Sequence, residues 1–216
     1  MTPPQIPQPN FWDRHVVPRL ICCACGQPQI MKRRSQIVPQ ARGKVLEFGA
    51  GGGINAQFYN PERIEHITGI DPSAELLDRA RDNVAAAQLP MDLVGGVAEA
   101  LPFENDSFDT VLITFTLCSV QDQAQALKEA RRVLKPDGQL LFLEHGAAPD
   151  PGVHLWQRRV EPIWKRIAGG CHLTRPIADA VRAQGFHVEN PTGEYMPKTP
   201  RILGWVESGV AIARGA

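Results

Sequence analysis

Glu47-Phe48-Gly49-Ala50-Gly51-Gly52-Gly53 closes the short apolar run Lys44–Phe48 with a string of glycines. An apolar run that ends this way reads as a buried strand passing into a turn. Glycine lets the backbone turn sharply there and approach a ligand with no Cβ in the way. The spacing separates two kinds of nucleotide loop. A dinucleotide fingerprint needs glycine at its first, third and sixth positions. Counted from Gly49, the third is Gly51 but the sixth is Ile54, so that fit is partial. Glu47 would also repel a pyrophosphate, whereas it suits a ligand that carries positive charge.

Outward from the loop, strands alternate with helices. His66–Ile70 reads as a second strand, stopped by Asp71-Pro72, and Ser73 can cap the helix carrying Leu76, Leu77, Ala80, Val84 and Ala87. Met91–Val94 is a third strand and Phe108–Thr114 a fourth. Asp122 caps a helix with the face Ala126, Leu127, Ala130, Val133 and Leu134. Lys135-Pro136-Asp137-Gly138 should stop that helix and reverse the chain tightly. Gln139–Glu144 is the fifth strand, Trp156–Ile167 and Ile177–Gln184 are helices, and Phe186–Glu189 and Leu203–Ala213 are the last strands. Gly204 and Gly209 count against the final one. The pattern predicts an α/β fold, Rossmann-like, with a mostly parallel seven-stranded sheet and helices on both faces. Residues 1–40 form an N-terminal helical or irregular extension, a lid, and 41–216 form the core domain.

The bulk properties narrow the function. A chain of 216 residues fits one domain, and its 43% hydrophobic and 21% charged residues are ordinary for a globular protein. A formal net charge of zero gives nucleic acid no electrostatic footing. Five cysteines, three of them crowded at Cys22, Cys23 and Cys25, do not form a secreted disulfide framework, so a cytoplasmic setting is expected. No apolar run reaches the roughly 18–20 residues of a spanning helix, and MTPPQIPQPN does not open a signal peptide. In residues 11–31, Phe11, Trp12, Val16, Val17, Leu20, Ile21 and Ile30 accompany Arg14, Arg19 and the adjoining Lys32 and Arg33. Such a segment can lie against a membrane surface or pack on the domain as a lid.

The motif Glu-x-Gly-x-Gly-x-Gly, met at every position from Glu47 to Gly53, resembles the loop of the class I methyltransferases. The resemblance implies S-adenosyl-L-methionine as cofactor and S-adenosyl-L-homocysteine as product. It places the cofactor's amino-acid end at Glu47, Phe48, Gly49, Gly51, Gly53, Asn55 and Thr114. Asp71, 18 residues beyond Gly53 at the end of the second strand, then accepts hydrogen bonds from the ribose hydroxyls, beside Pro72. Gly96-Val97-Ala98-Glu99 resembles the family's adenine segment, with Val97 where an aspartate is usual, so backbone contacts must serve there. Arg132-Val133-Leu134-Lys135-Pro136-Asp137-Gly138 also matches the family's turn before the fifth strand.

Ligands of open α/β sheets collect at the carboxyl ends of the strands. Reactive side chains fall there in Thr114-Phe115-Thr116-Leu117-Cys118-Ser119, in Glu144-His145-Gly146 and in Gly169-Gly170-Cys171-His172-Leu173-Thr174-Arg175. With Trp156, this combination resembles the methyltransferase-like type 7 group and its bacterial relatives, whose characterised members methylate thiols at intracellular lipid surfaces. It implies a small-molecule methyl acceptor held by Thr116, Cys118, Trp156 and Cys171, with His145 or His172 as the catalytic group. Methyl transfer from a sulfonium is an in-line displacement dominated by alignment, and a thiol of pKa about 8.5 needs no strong base. Methylation of an isoprenoid quinol or a phospholipid amine is the alternative acceptor chemistry, and a non-catalytic cofactor-binding regulator is another. Arg175 is expected to fix a loop, and Trp12, Phe115, Trp164 and Trp205 to wall a pocket or fill the core. Cys118 and Cys171 stand isolated in the sequence, Cys22, Cys23 and Cys25 lack a second pair, and no metal site is expected.

Overall fold

The computed structural model describes residues 26–213. Trp12, Cys22, Cys23, Cys25 and most of the 11–31 segment lie outside them. Among the described residues, seven strands form one sheet: β1 (Gly43–Phe48), β2 (Ile64–Asp71), β3 (Met91–Gly95), β4 (Phe108–Thr114), β5 (Leu134–His145), β6 (Phe186–Tyr195) and β7 (Trp205–Ala213). Their order is β3-β2-β1-β4-β5-β7-β6. The first five in that order pair in parallel, and β7 runs antiparallel to both β5 and β6. The helices are α1 (Pro28–Ile37), α2 (Ala74–Ala87), α3 (Gln123–Val133), α4 (Pro151–Ile167), α5 (Ile177–Ala183) and the single turn α6 (Arg201–Gly204). No helix of the described residues is long and apolar enough to cross a membrane.

The central strands are apolar on both sides because both faces are covered. On one face Leu46, Phe48, Val111, Ile113, Leu140 and Phe142 pack against α3 and α5 through Leu127, Val133, Ile177 and Val181. On the other, Val45, Ile67, Leu112, Leu141 and Leu143 pack under Ile37, Val38 and Tyr59. Removing one such leucine, Leu112→Ala for example, costs about 2–5 kcal/mol. The helix starts follow the capping residues read in the sequence. The Ser73 hydroxyl accepts from Leu76 N at 3.3 Å, and an Asp122 carboxylate oxygen accepts from Gln125 N at 3.0 Å.

Residues 28–40 pack on the domain through Ile30, Arg34, Ile37 and Val38, with Lys32, Ser35, Gln36 and Gln40 exposed. Val38 is fully buried, and Ile30 packs with Met196 and Val206 in a smaller cluster. Ile30 is therefore not available to a lipid surface, and Arg33 pairs with Glu194 on β6.

Several boundaries differ from expectation. The turn at Lys135–Gly138 does not separate a helix from a later strand. β5 starts at Leu134, opposite Phe108, loops out over the turn, and rejoins the ladder where Thr110 faces Gln139. β6 runs on to Tyr195 past a register shift between Glu189 and Thr192 that accommodates Pro191. Its outer half is polar because it is a sheet edge, which hides it from a search for apolar alternation. Gly209 does not weaken β7. It lies opposite Phe142, and a Cβ there would come within 2.9 Å of that ring.

Candidate active site

Strand order reverses between β1 and β4, and the crevice at their carboxyl ends is the natural ligand position of an open α/β sheet. The glycine loop leaves β1 at this point. Gly49 has φ +64°, and a Cβ on it would lie 2.2 Å from Thr116 Oγ1. A Cβ at Gly51 would meet nothing closer than Gly49 O at 3.7 Å, so the middle of the loop is an open cradle. Gly51 N donates to Asp71 Oδ2 and Ser73 N to Asp71 Oδ1, both at 2.9 Å. Asp71 thus ties the loop to the start of α2, and each of its oxygens keeps a further lone pair. Burial raises its pKa against those two amide bonds.

Beneath the loop lies a buried polar network. Glu47 is 1% exposed and accepts from Asn55 Nδ2 at 2.8 Å and from the Tyr59 hydroxyl at 2.7 Å. Burial pushes its pKa up, against those bonds and the nearby Arg34. Asn55 Nδ2 also donates to Thr114 Oγ1 at 2.9 Å. Arg34, on α1, donates through Nη1 to Asn55 Oδ1 at 2.6 Å and to Thr114 Oγ1 at 2.7 Å. Its Nε is buried and has no hydrogen-bond partner. Glu47 is therefore a buried carboxylate held by Asn55 and Tyr59. Arg34 and Tyr59 were not anticipated from the sequence. The available signal was a lone arginine on the buried stripe of α1, between Ile30 and Ile37.

The other side of the crevice is built on Glu144. Its buried carboxylate accepts from Thr116 N at 2.6 Å, Leu117 N at 3.0 Å and Cys118 N at 3.1 Å. Burial raises its pKa to about 7 despite those donors. Three amides gathered on one carboxylate hold the turn after β4, where Phe115 sits at the strained φ of +54°. Phe115 links the two halves of the site. The Arg34 guanidinium lies 5.2 Å from its ring centroid, and His145 stacks edge-on to it at 5.1 Å.

Cys118 and Cys171, isolated in the sequence, come together with His145 in space, which corrects their reading as separate residues. One ligand-type atom from each of the three lies within 4.8 Å of the others. His145 Nδ1 is 3.7 Å from Cys171 Sγ. The pair of thiols is unequal. Cys118 is pushed well above its usual pKa by donating to Cys171 and by burial. Cys171 is held well below it by that same S–H bond, against burial and with help from His145.

Other expected residues fall elsewhere. His172 Nδ1 meets Glu161 Oε1 at 3.2 Å, and Glu161 Oε2 takes the amides of Leu173 and Thr174 at 2.8 and 2.9 Å. His172 thus belongs to a clasp between α4 and the loop after it. Arg175 fixes the same loop to Leu117 O and Val120 O. Trp156 is 54% exposed on α4 with Arg159 over its ring, so it lines no enclosed pocket. Ala98 turns its side chain into the core, and Glu99 Oε1 accepts from Gln121 N at 2.8 Å at the head of α3. Pro72 is exposed directly after β2, and Val97 is half-buried just beyond Gly96, whose N donates to Asp71 O at 3.2 Å.

Known proteins match this arrangement. The methyltransferase-domain family matches residues 46–142. The chain is 37% identical over 169 residues to thiol S-methyltransferase TMT1B of Rattus norvegicus, covering 74% of this chain and 68% of that protein. It belongs to the S-adenosylmethionine-dependent methyltransferases. The relatives of this methyltransferase include the ubiquinone/menaquinone biosynthesis C-methyltransferase UbiE of Roseobacter denitrificans, 35% identical over 154 residues, or 68% of this chain and 62% of that one. The solved structure of YcgJ from Bacillus subtilis shares the fold with a TM-score of 0.69 at 17% identity, covering 87% of this chain and 99% of that chain. As a class I enzyme, the methyltransferase carries its seven-stranded Rossmann-like sheet with the glycine loop at the switch point.

Proposed function

We propose that this methyltransferase S-methylates a small apolar thiol. The observation that carries the reading is the convergence of Cys118, His145 and Cys171 at the ends of β4 and β5, across Phe115 from Arg34. The 37% identity to a protein named as a thiol S-methyltransferase supports it. Bound S-adenosylmethionine supplies a methyl group on a sulfonium, which needs a nucleophile brought into line rather than a strong base. The open cradle over Gly51 and the unpartnered Arg34 Nε fit such a ligand.

In this reading the loop from Gly49 to Gly53 lies along the amino-acid end of the cofactor. Arg34 faces its carboxylate, with Glu47, Asn55 and Thr114 holding that guanidinium and the loop in place. Asp71 accepts the ribose hydroxyls on its remaining lone pairs, and Val97 and Ala98 offer backbone contacts to the adenine. Phe115, Thr116 and the two cysteines form the acceptor wall. His145, half-buried and 3.7 Å from the Cys171 sulfur, stands beside the acceptor, while His172 serves the loop. Incubation with S-adenosylmethionine and a panel of alkyl and aryl thiols should release S-adenosylhomocysteine with matching S-methyl product. Cofactor binding by calorimetry with no turnover across the panel would discard the thiol reading.

A further inference from the structure

We infer that Cys118, Cys171 and His145 form a zinc site, with two thiolate ligands, one imidazole ligand and a fourth position open to the acceptor's sulfur. A tetrahedral zinc with Zn–S near 2.3 Å and Zn–N near 2.0–2.1 Å sets its ligand atoms about 3.5–3.8 Å apart. Here His145 Nδ1 and Cys171 Sγ are already 3.7 Å apart, and all three ligand atoms lie within 4.8 Å. Side-chain adjustments on the order of 1 Å close the set on a metal of that size.

The backbone that carries the ligands is held independently of any metal. Cys118 N donates to Glu144, and Cys118 O accepts from His172 N at 2.7 Å. Cys171 N donates to Ala168 O at 3.1 Å, and His145 stands in the β5 ladder opposite Val206. Such pre-positioning on strand ends and a clasped loop is what a metal site requires. The donor set is soft, with two sulfurs and one nitrogen, which suits zinc and not magnesium or calcium. Among the described residues three protein ligands converge, as in catalytic zinc sites that keep a fourth position for substrate, rather than the four of a closed structural site. Cys118 and Cys171 are 2% and 6% exposed, while His145 is only half-buried and marks the side from which a fourth ligand enters.

The role assigned to that fourth position rests on the thiol reading above. An acceptor thiol that binds the metal gives its proton to solvent and remains as a zinc-bound thiolate. Its lone pair forms the new S–CH3 bond as the methyl–sulfonium bond breaks. The electrons of the broken bond stay on the departing sulfur, leaving neutral S-adenosylhomocysteine. The neutral thioether is a weaker ligand than a thiolate and leaves the metal. Methyl acceptance and proton loss thus balance without a protein base, and His145 acts as a ligand.

The test uses the full chain with Cys22, Cys23 and Cys25 changed to serine, so that those thiols contribute no metal. After treatment with chelator and reductant, it is reloaded with zinc or cobalt(II) and passed over gel filtration. About one metal ion per chain is expected, with the near-ultraviolet thiolate-to-cobalt band and visible bands of a tetrahedral site. Cys118→Ser and Cys171→Ser should each lower metal affinity by more than about 100-fold, since losing even an outer-shell partner costs 10–100-fold. Circular dichroism establishes that the variants fold, and His145→Ala supplies a third, independent ligand deletion. Metal content no higher than in Cys118→Ser, or a cobalt spectrum that both cysteine variants retain, overturns the site. These readouts need no acceptor. Thiol turnover by metal-free protein overturns the role given to the fourth position and keeps the thiol reading, whereas stoichiometric metal with no thiol turnover discards that reading and keeps the site.

Discussion

Asp71→Ala removes the acceptor proposed for the two ribose hydroxyls, and its effect on cofactor affinity can be worked from the contacts. In the protein alone the carboxylate already takes the amides of Gly51 and Ser73, both at 2.9 Å. The substitution therefore costs stability as well as binding, and the two must be measured separately. A hydrogen bond to a charged acceptor is worth about 1.5–3 kcal/mol, and losing that much weakens binding roughly 10- to 150-fold. Because Asp71 also anchors Gly51, the loop itself loosens, so the upper half of that range is expected. Isothermal calorimetry with S-adenosylhomocysteine reads the dissociation constant with no turnover to confuse it. Urea unfolding of the same sample shows how much folded protein remains. A folded Asp71→Ala variant that binds as tightly as the parent would mean that the ribose does not lie at the end of β2, and the proposed cofactor pose would fall with it.

Gly49→Ala forces a Cβ to 2.2 Å from Thr116 Oγ1 at a positive φ, so urea unfolding should show a loss of at least about 2 kcal/mol. A variant of parental stability would show that the turn can move away freely. Arg34→Met should weaken S-adenosylhomocysteine binding at least about tenfold by removing a charged donor from the carboxylate. An analogue lacking the carboxyl group should bind both proteins alike, and an equal loss for both ligands would assign Arg34 to packing only. Glu129 has its pKa lowered by its bond to Arg132, aided by the amide of Leu101. A depressed carboxylate stabilises the fold above its unfolded pKa and loses that contribution as pH falls through the lower folded value. Below about pH 4.5 the parent should therefore lose stability more steeply than Glu129→Gln, by on the order of 1 kcal/mol because the pair is part-buried and still screened by solvent on its Arg132 side. Parallel acid limbs in the two proteins would refute this.

The parallel half of the fold was legible because each strand from β1 to β5 is an apolar run bounded by turn or capping residues. Ser73 and Asp122 announced their helices, and Glu47 with its glycines marked the loop. What escaped was set by tertiary context. The outer half of β6 is polar because it faces solvent, and Lys135–Gly138 resembles a reversal although the ladder resumes beyond it. The glycine loop and the end of β2 could be located by spacing. Arg34 could not be assigned, because a helix before β1 gives no sign of which crevice its one buried charge enters. Cys118 and Cys171 are 53 residues apart and meet only because the loop after α4 folds back over the end of β4. Conversely, His172 and Trp156 carry the right chemistry at the right place in the chain, yet the Glu161 clasp and the exposed face of α4 claim them.

The central claim is that a methyl group passes from the cofactor to sulfur. Labelled methyl supplied on S-adenosylmethionine, with an alkyl thiol and a membrane lipid extract offered together, should appear in the thioether, one label for each S-adenosylhomocysteine released. Label recovered on an isoprenoid quinol or a lipid amine, with none on the thiol, would contradict the account.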